Sequence, residues 1–130
     1  MIIDQNGNVG IGTTNPQNPL SVNGTIQAKE LLLNTGWSDY VFAPGYHLRP
    51  LSEVAAFIDQ HHHLPDIPSE PEVREKGVSV GEVQSKLLAK IEEITLHMIR
   101  QEKENQELRQ RIARLEEAAA GGAVAPPAGR

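Results

Sequence analysis

Residues 91–117 read IEEITLHMIRQEKENQELRQRIARLEE, and apolar side chains recur through them at intervals of three and four, with no proline between Val80 and Leu115. With Ile91 at heptad position a, alternating a and d positions are Ile91, Ile94, Met98, Gln101, Asn105, Leu108, Ile112 and Leu115. Only Gln101 and Asn105 are polar. That stripe is the seam of a helix that pairs with copies of itself. In a parallel coil each g residue meets the e residue five positions on in its neighbour. This sets His97 against Glu102, Glu104 against Arg109, and Arg111 against Glu116. The last two pairs are opposite in charge, and the first becomes so when His97 is protonated. The pattern therefore favours identical helices, parallel and in register.

Upstream, the seam continues through Val80, Val83 and Leu87, which reach Ile91 in steps of 3, 4 and 4. Such an eleven-residue step locally unwinds a left-handed supercoil, as expected if the first turns of the coil also pack on the segment before them. Ser79 is placed to cap the helix and Glu82 to reach back to it, with Val78 and Val83 as a hydrophobic staple. A helix over 79–119 measures roughly 60 Å at 1.5 Å per residue. Gly121-Gly122 should end it, leaving 120–130 as a disordered tail.

The rest of the chain has little with which to build a core. Of 130 residues only five are aromatic, Trp37, Tyr40, Phe42, Tyr46 and Phe57, all in the middle. A compact monomer is not expected. The chain has no cysteine, which excludes a disulfide scaffold and a thiol nucleophile. The net charge is −5, and 20 of the 29 charged residues lie between Glu70 and Glu117 with both signs interspersed, as on a solvated helix. Nothing resembles the basic cluster of a nucleic-acid footprint. No apolar run approaches the length of a membrane span, and no basic segment leads into an apolar one at the N-terminus, so neither membrane insertion nor a secretion signal is expected.

Residues 1–34 are rich in Gly, Asn, Thr and Pro, with short apolar pieces at Val9 and Ile11, Leu20 and Val22, and Ile26. They read as short strands broken by turns at Asn6-Gly7 and Asn15-Pro16, with a tight hairpin at Asn23-Gly24. So few apolar groups cannot offset an ordering entropy of roughly 1–2 kcal/mol per residue, so these strands should intertwine with those of other chains. Residues 35–78 read as a small mixed α/β unit. Leu51, Val54, Ala55 and Ile58 predict a helix to about Gln60. Leu64-Pro65-Asp66-Ile67-Pro68 should be an extended connector. Ser69 and Glu72 have capping-box spacing for a short helix that stops at Gly77.

Three stretches resemble the C-terminal end of trimeric phage tail fibres and related bacterial tail-fibre-like adhesins. The first is Gly7-Asn8-Val9-Gly10-Ile11-Gly12-Thr13-Thr14-Asn15-Pro16 followed by Leu20-Ser21-Val22-Asn23-Gly24-Thr25-Ile26. The second runs from Trp37-Ser38-Asp39-Tyr40-Val41-Phe42 to His62-His63-Leu64-Pro65-Asp66-Ile67-Pro68-Ser69. The third leads from Gly81-Glu82-Val83 through Lys86-Leu87-Leu88-Ala89-Lys90-Ile91 into the coil. The resemblance implies an α+β, elongated homotrimer, with intertwined β-strands, a small mixed middle unit and a parallel trimeric coiled coil. It places the chain in a virion tail fibre or an extracellular fibre-like assembly, with an upstream fibre shaft and a cell-surface receptor as further partners. Within the coil, Arg111-Ile112-Ala113-Arg114-Leu115-Glu116 matches a pattern associated with short three-stranded coils. There the arginine stem covers the seam while its head bonds a neighbour's glutamate.

The expected function is structural: trimerisation of a fibre and nucleation of its folding, with no cofactor and no enzymatic activity. A receptor-binding tip that recognises a glycan or protein is the alternative. A third reading is a self-cleaving chaperone, since related tailspikes end in one that uses a Ser-Asp pair followed by a catalytic lysine. Ser38-Asp39 is followed instead by Tyr40, Val41, Phe42 and Ala43, which leaves the serine without a base. His61-His62-His63 has no familiar metal-ligand spacing and reads as a helix C-terminus, so no metal is expected. Gln101 and Asn105 should form a polar layer that fixes register. Replacing both with Ile should raise the melting temperature while permitting shifted registers, as read by circular dichroism and by cross-linking at the coil ends. A lower melting temperature would mean that the polar pair contributes net stability.

Overall fold

The computed structural model describes residues 1–122. Its elements are β1 (Ile2–Ile3), β2 (Val9–Ile11), β3 (Leu20–Val22), α1 (Leu51–His61), α2 (Glu70–Lys76) and α3 (Val80–Gly122), an α+β arrangement. The chain divides into two units, Met1–Asn34 and Thr35–Arg130.

Asp4 organises the first unit. Its Oδ1 accepts from the amides of Asn6 (2.8 Å) and Asn8 (2.9 Å), and its Oδ2 accepts from Asn8 Nδ2 at 3.2 Å. Gly7, at φ 84, takes the left-handed conformation that closes this turn. The chain then returns antiparallel, with Ile2 opposite Gly10 and Ile3 opposite Val9. β3 joins the other edge of β2 in parallel, with Val9, Gly10 and Ile11 opposite Leu20, Ser21 and Val22. The connecting loop folds so closely over the sheet that a Cβ on Gly10 would stand 2.4 Å from the Thr13 carbonyl oxygen. Side chains alternate across a pleated sheet, so Ile3, Val9, Ile11, Leu20 and Val22 share the opposite face. Ile3, Ile11 and Leu20 are exposed there.

The hairpin expected at Asn23-Gly24 does not form. Asn23 instead prolongs the parallel ladder, its amide donating to the Ile11 carbonyl at 2.9 Å and its Nδ2 to the Gly12 carbonyl at 3.3 Å. Thr25-Ile26 is left without a strand to pair with, and residues 23–50 contain no helix or strand.

In the second unit, α1 begins after Pro50 and ends where His62 turns left-handed at φ 60. Ser69 caps α2, its Oγ accepting from the Glu72 amide at 3.4 Å, and Gly77 at φ 70 stops it. Ser79 Oγ accepts from the Glu82 amide at 3.5 Å, but the Glu82 carboxylate pairs forward with Lys86 at 3.1 Å rather than back to the cap. Three expectations change. The connector at 64–68 is a turn, with Asp66 at φ 66 and the Ile67 amide donating to the Leu64 carbonyl. Residues 35–78 hold two helices and no strand, and group with α3 instead of forming a unit of their own. Finally, α3 runs to Gly122, carried past Ala119 by Ala118-Ala119-Ala120, the strongest of helix formers. Residues 123–130, assigned to the tail, lie outside the described residues.

Hydrogen bonding from Asn8 and its neighbours holds the Asp4 carboxyl below its ordinary value of 3.8. A depressed carboxylate contributes stability that is complete above the ordinary value and lost as pH falls through the lowered one. The amide resonances of Asn6 and Asn8 should therefore titrate with a midpoint below 3.8, and Asp4→Asn should abolish that titration.

Candidate functional site

The helical stripe is an extended exposed apolar surface of the second unit. Leu87 (46 %), Ile91 (59 %), Ile94 (54 %) and Met98 (63 %) stand open along α3, as do Val80, Leu108, Ile112 and Leu115, with Val83 half-buried. Gln101 and Asn105 are exposed in the same line. The buried and half-buried positions fall elsewhere on the helix. Ser85, Lys86, Ala89, Glu92, Glu93 and Leu96 occupy b, c and f, Lys90 and His97 occupy g, and Gly81 and Leu88 occupy e. The segment before α3 has thus docked mainly on the side away from the a and d positions, and reaches the edge of the stripe at Ile94 and Gln101.

Small side chains permit that docking. Gly81, Ser85 and Ala89 are spaced i, i+4, i+8 on one face. Gly81 and Ala89 are buried, and a Cβ on Gly81 would fall 2.3 Å from Thr35 Cγ2. A charged knot then fixes the segment. Lys90 Nζ bonds Glu93 Oε2 at 3.0 Å and Asp66 Oδ2 at 3.2 Å, while Tyr46 Oη donates to Glu93 Oε1. Arg49 reaches Asp66 at 3.8 Å, and His97 Nε2 donates to the Arg49 carbonyl at 3.1 Å. Lys90 and Glu93 have side chains only 13 % and 16 % exposed, so the ions are partly desolvated and depend on one another. Burial, with the bond to Glu93, pushes the Tyr46 phenol well above its usual range and keeps it a neutral donor.

Of the residues matched between chains by sequence, His97 has Nε2 committed within its own chain, and Glu102 accepts from Gln106 Nε2 at 3.1 Å. Among the described residues, Glu102, Glu104, Arg109, Arg111 and Glu116 make no ion pair within the chain. They are all exposed.

The other candidates hold less chemistry. His61 and His63 stand on either side of Phe57, with ring centroids 4.3 and 5.4 Å from it, and His63 Nδ1 donates to the Leu64 carbonyl rather than to the end of α1. Among the described residues no group of His, Cys, Asp or Glu is arranged to hold a metal ion. Ser38 is buried at 3 % exposure, and its Oγ has no hydrogen-bond partner among the described residues. Trp37 beside it is 67 % exposed, because the chain turns Ser38 and Val41 inward instead. No helix among the described residues is long and apolar enough to cross a membrane.

The knot joins residues 47 apart in sequence, Tyr46 and Glu93. Sequence reasoning treated Lys90 and Glu93 as ordinary charges of a solvated helix. The Gly81, Ser85, Ala89 spacing was the signal that could have located the docked face. No protein-family model, curated protein or solved structure matches this chain.

Tyr46→Phe removes one donor while Lys90 still serves the Glu93 carboxylate. It should destabilise the docked segment by on the order of 1.5 kcal/mol, measured by equilibrium denaturation. Lys90→Met, which leaves the largely buried Glu93 carboxylate without its cation, should cost more.

Proposed function

We propose that this chain is the trimerisation and folding-nucleation module of a tail-fibre-like protein, a structural and non-enzymatic part of a virion tail fibre or extracellular fibre-like assembly. The observation that carries this reading is the open a and d stripe from Val80 to Leu115 on a helix whose opposite side is already occupied. Beside the stripe run the charges Glu104, Arg109, Arg111 and Glu116, exposed and without an ion pair among the described residues. A parallel copy of the same helix brings opposite sign to each. Three strands are favoured over two by Ile91 and Ile94 at consecutive a and d positions and by the Arg111 to Glu116 pattern, which outweigh Ile112 with Leu115, a pair that by itself suits two strands.

Folding and association are coupled on this reading. Among the described residues the buried hydrophobic side chains are Val41 and Ala89, and the sheet of the first unit leaves its apolar face open. A helix with local contacts can assemble first and hold the remaining segments at high effective concentration. The receptor-binding alternative draws support from the exposed aromatic side chains of Trp37, Tyr40 and Phe42. A glycan array with the intact chain tests it.

Native mass spectrometry at micromolar concentration should give three copies of the intact chain, and Ala119→Cys should cross-link chains to one another on oxidation. A monomeric mass would overturn the proposal.

A further inference from the structure

The docked segment gives each protomer two unlike flanks beside its seam. On the side of heptad positions c and g, Arg49 and Leu51 line Lys90, Glu93 and His97, and Leu51 continues past His97 to Arg100, Gln101 and Glu104. On the side of position b, Asp39 and Phe42 lie against Glu92, and Phe42 reaches on towards Ile99. Each flank carries an apolar group for which a single chain provides little cover. Leu51 is 60 % exposed, Phe42 62 % and Ile99 49 %.

In a parallel coil the g side of each helix faces the e side of the next. Whatever is docked beside g must then approach whatever is docked beside e and b, at the same height along the axis. The heights agree, since Leu51 lies level with His97 to Gln101 and Phe42 lies between Glu92 and Ile99. The charges agree as well. The c and g flank presents Arg49, held only loosely at 3.8 Å from Asp66, with Glu104 further along it. The b and e flank presents Asp39 and Glu92 at the height of Arg49, then Glu102, with Arg100 and Lys103 further along beside Phe42 and Ile99.

Building on the self-association reading above, we propose that α1 is part of the interface. The Leu51 end of α1 in one copy packs on Phe42 and Ile99 of the next copy, with Arg49 facing that copy's Asp39 and Glu92. The partner is a second copy of this chain. The contact joins unlike surfaces, so it repeats around the axis and closes as a ring when the rotation closes. It also accounts for an exposed phenylalanine and an exposed leucine on opposite flanks of one docked segment.

The absence of cysteine makes the test direct. Leu51→Cys and Phe42→Cys are made as separate chains of different mass, refolded together, and treated with a short bis-maleimide, with Ala119→Cys as the control for the coil. Mixed Leu51→Cys to Phe42→Cys dimers should exceed either self-linked product several-fold, and each variant alone should stay largely unlinked. If Ala119→Cys links chains but the mixture does not, α1 lies outside the interface and the coil reading stands. Self-linking of Leu51→Cys would indicate a contact between like surfaces and would overturn the ring. Failure of Ala119→Cys to link, with a monomeric mass, would remove the coil and this contact together.

Discussion

The paired charges of Lys90 and Glu93 decide which side of α3 is left free. They sit at g and c, and they gather Asp66, Tyr46 and, through Asp66, Arg49 onto that part of the helix. Partly desolvated ions contribute little net stability, because desolvation offsets most of the Coulomb gain. What they supply is direction. An apolar docking surface could slide around the helix and cover Ile91 or Ile94, whereas a lysine bound to two carboxylates at 3.0 and 3.2 Å cannot follow. The Gly81, Ser85, Ala89 face lets the segment approach closely on that same side. The apolar stripe is left open as a consequence of where these few groups stand.

A single copy of this chain is poor in buried apolar surface. Hydrophobic burial contributes about 25 cal/mol per Å2, and with Val41 the largest fully buried side chain there is little of it to set against chain entropy. Local hydrogen bonding does much of the ordering instead: the Asp4 turn, the Ser69 and Ser79 caps, and the charged knot. These fix conformation at small net gain per bond. The apolar residues are present, but they lie along the α3 stripe and on the Ile3, Val9, Ile11, Leu20, Val22 face of the sheet. Both surfaces are suited to burial against something outside the chain.

What was legible in the sequence was local or periodic. The a and d stripe, the extent of α1, the Ser69 cap with its Gly77 stop, and the Asn6-Gly7 turn each depend on residues within a few positions of one another. What was not legible depended on distant partners. β3 pairs in parallel with β2 because Asn23 finds the Ile11 and Gly12 carbonyls, and nothing near Asn23-Gly24 announces that. Asp66 takes a left-handed conformation within a proline-rich stretch, in a turn whose carboxylate is held by Lys90 from 24 residues away. Proline content alone predicted extended backbone there. Likewise, Ser38 and Val41 are buried while Trp37 is exposed, which no local pattern records.

The two polar seam residues can now be related to the docked segment. Clefts between that segment and α3 extend to Arg100, Gln101, Lys103 and Glu104, and every residue of α3 from Gln101 to Gly122 is exposed. Gln101 and Asn105 therefore fall where the supported part of the helix gives way to bare helix. On the proposed reading, flank contacts constrain alignment before this point, and only the a and d seam constrains it afterwards. An unbroken apolar seam penalises a one-heptad slip weakly, since apolar groups again meet apolar groups. A slipped register at Gln101 and Asn105 would instead oppose amides to Leu108 or Met98, leaving polar groups desolvated without partners. A polar layer at this junction thus stands where the docked flanks stop enforcing alignment, which gives its position a physical reason that the sequence pattern alone did not supply.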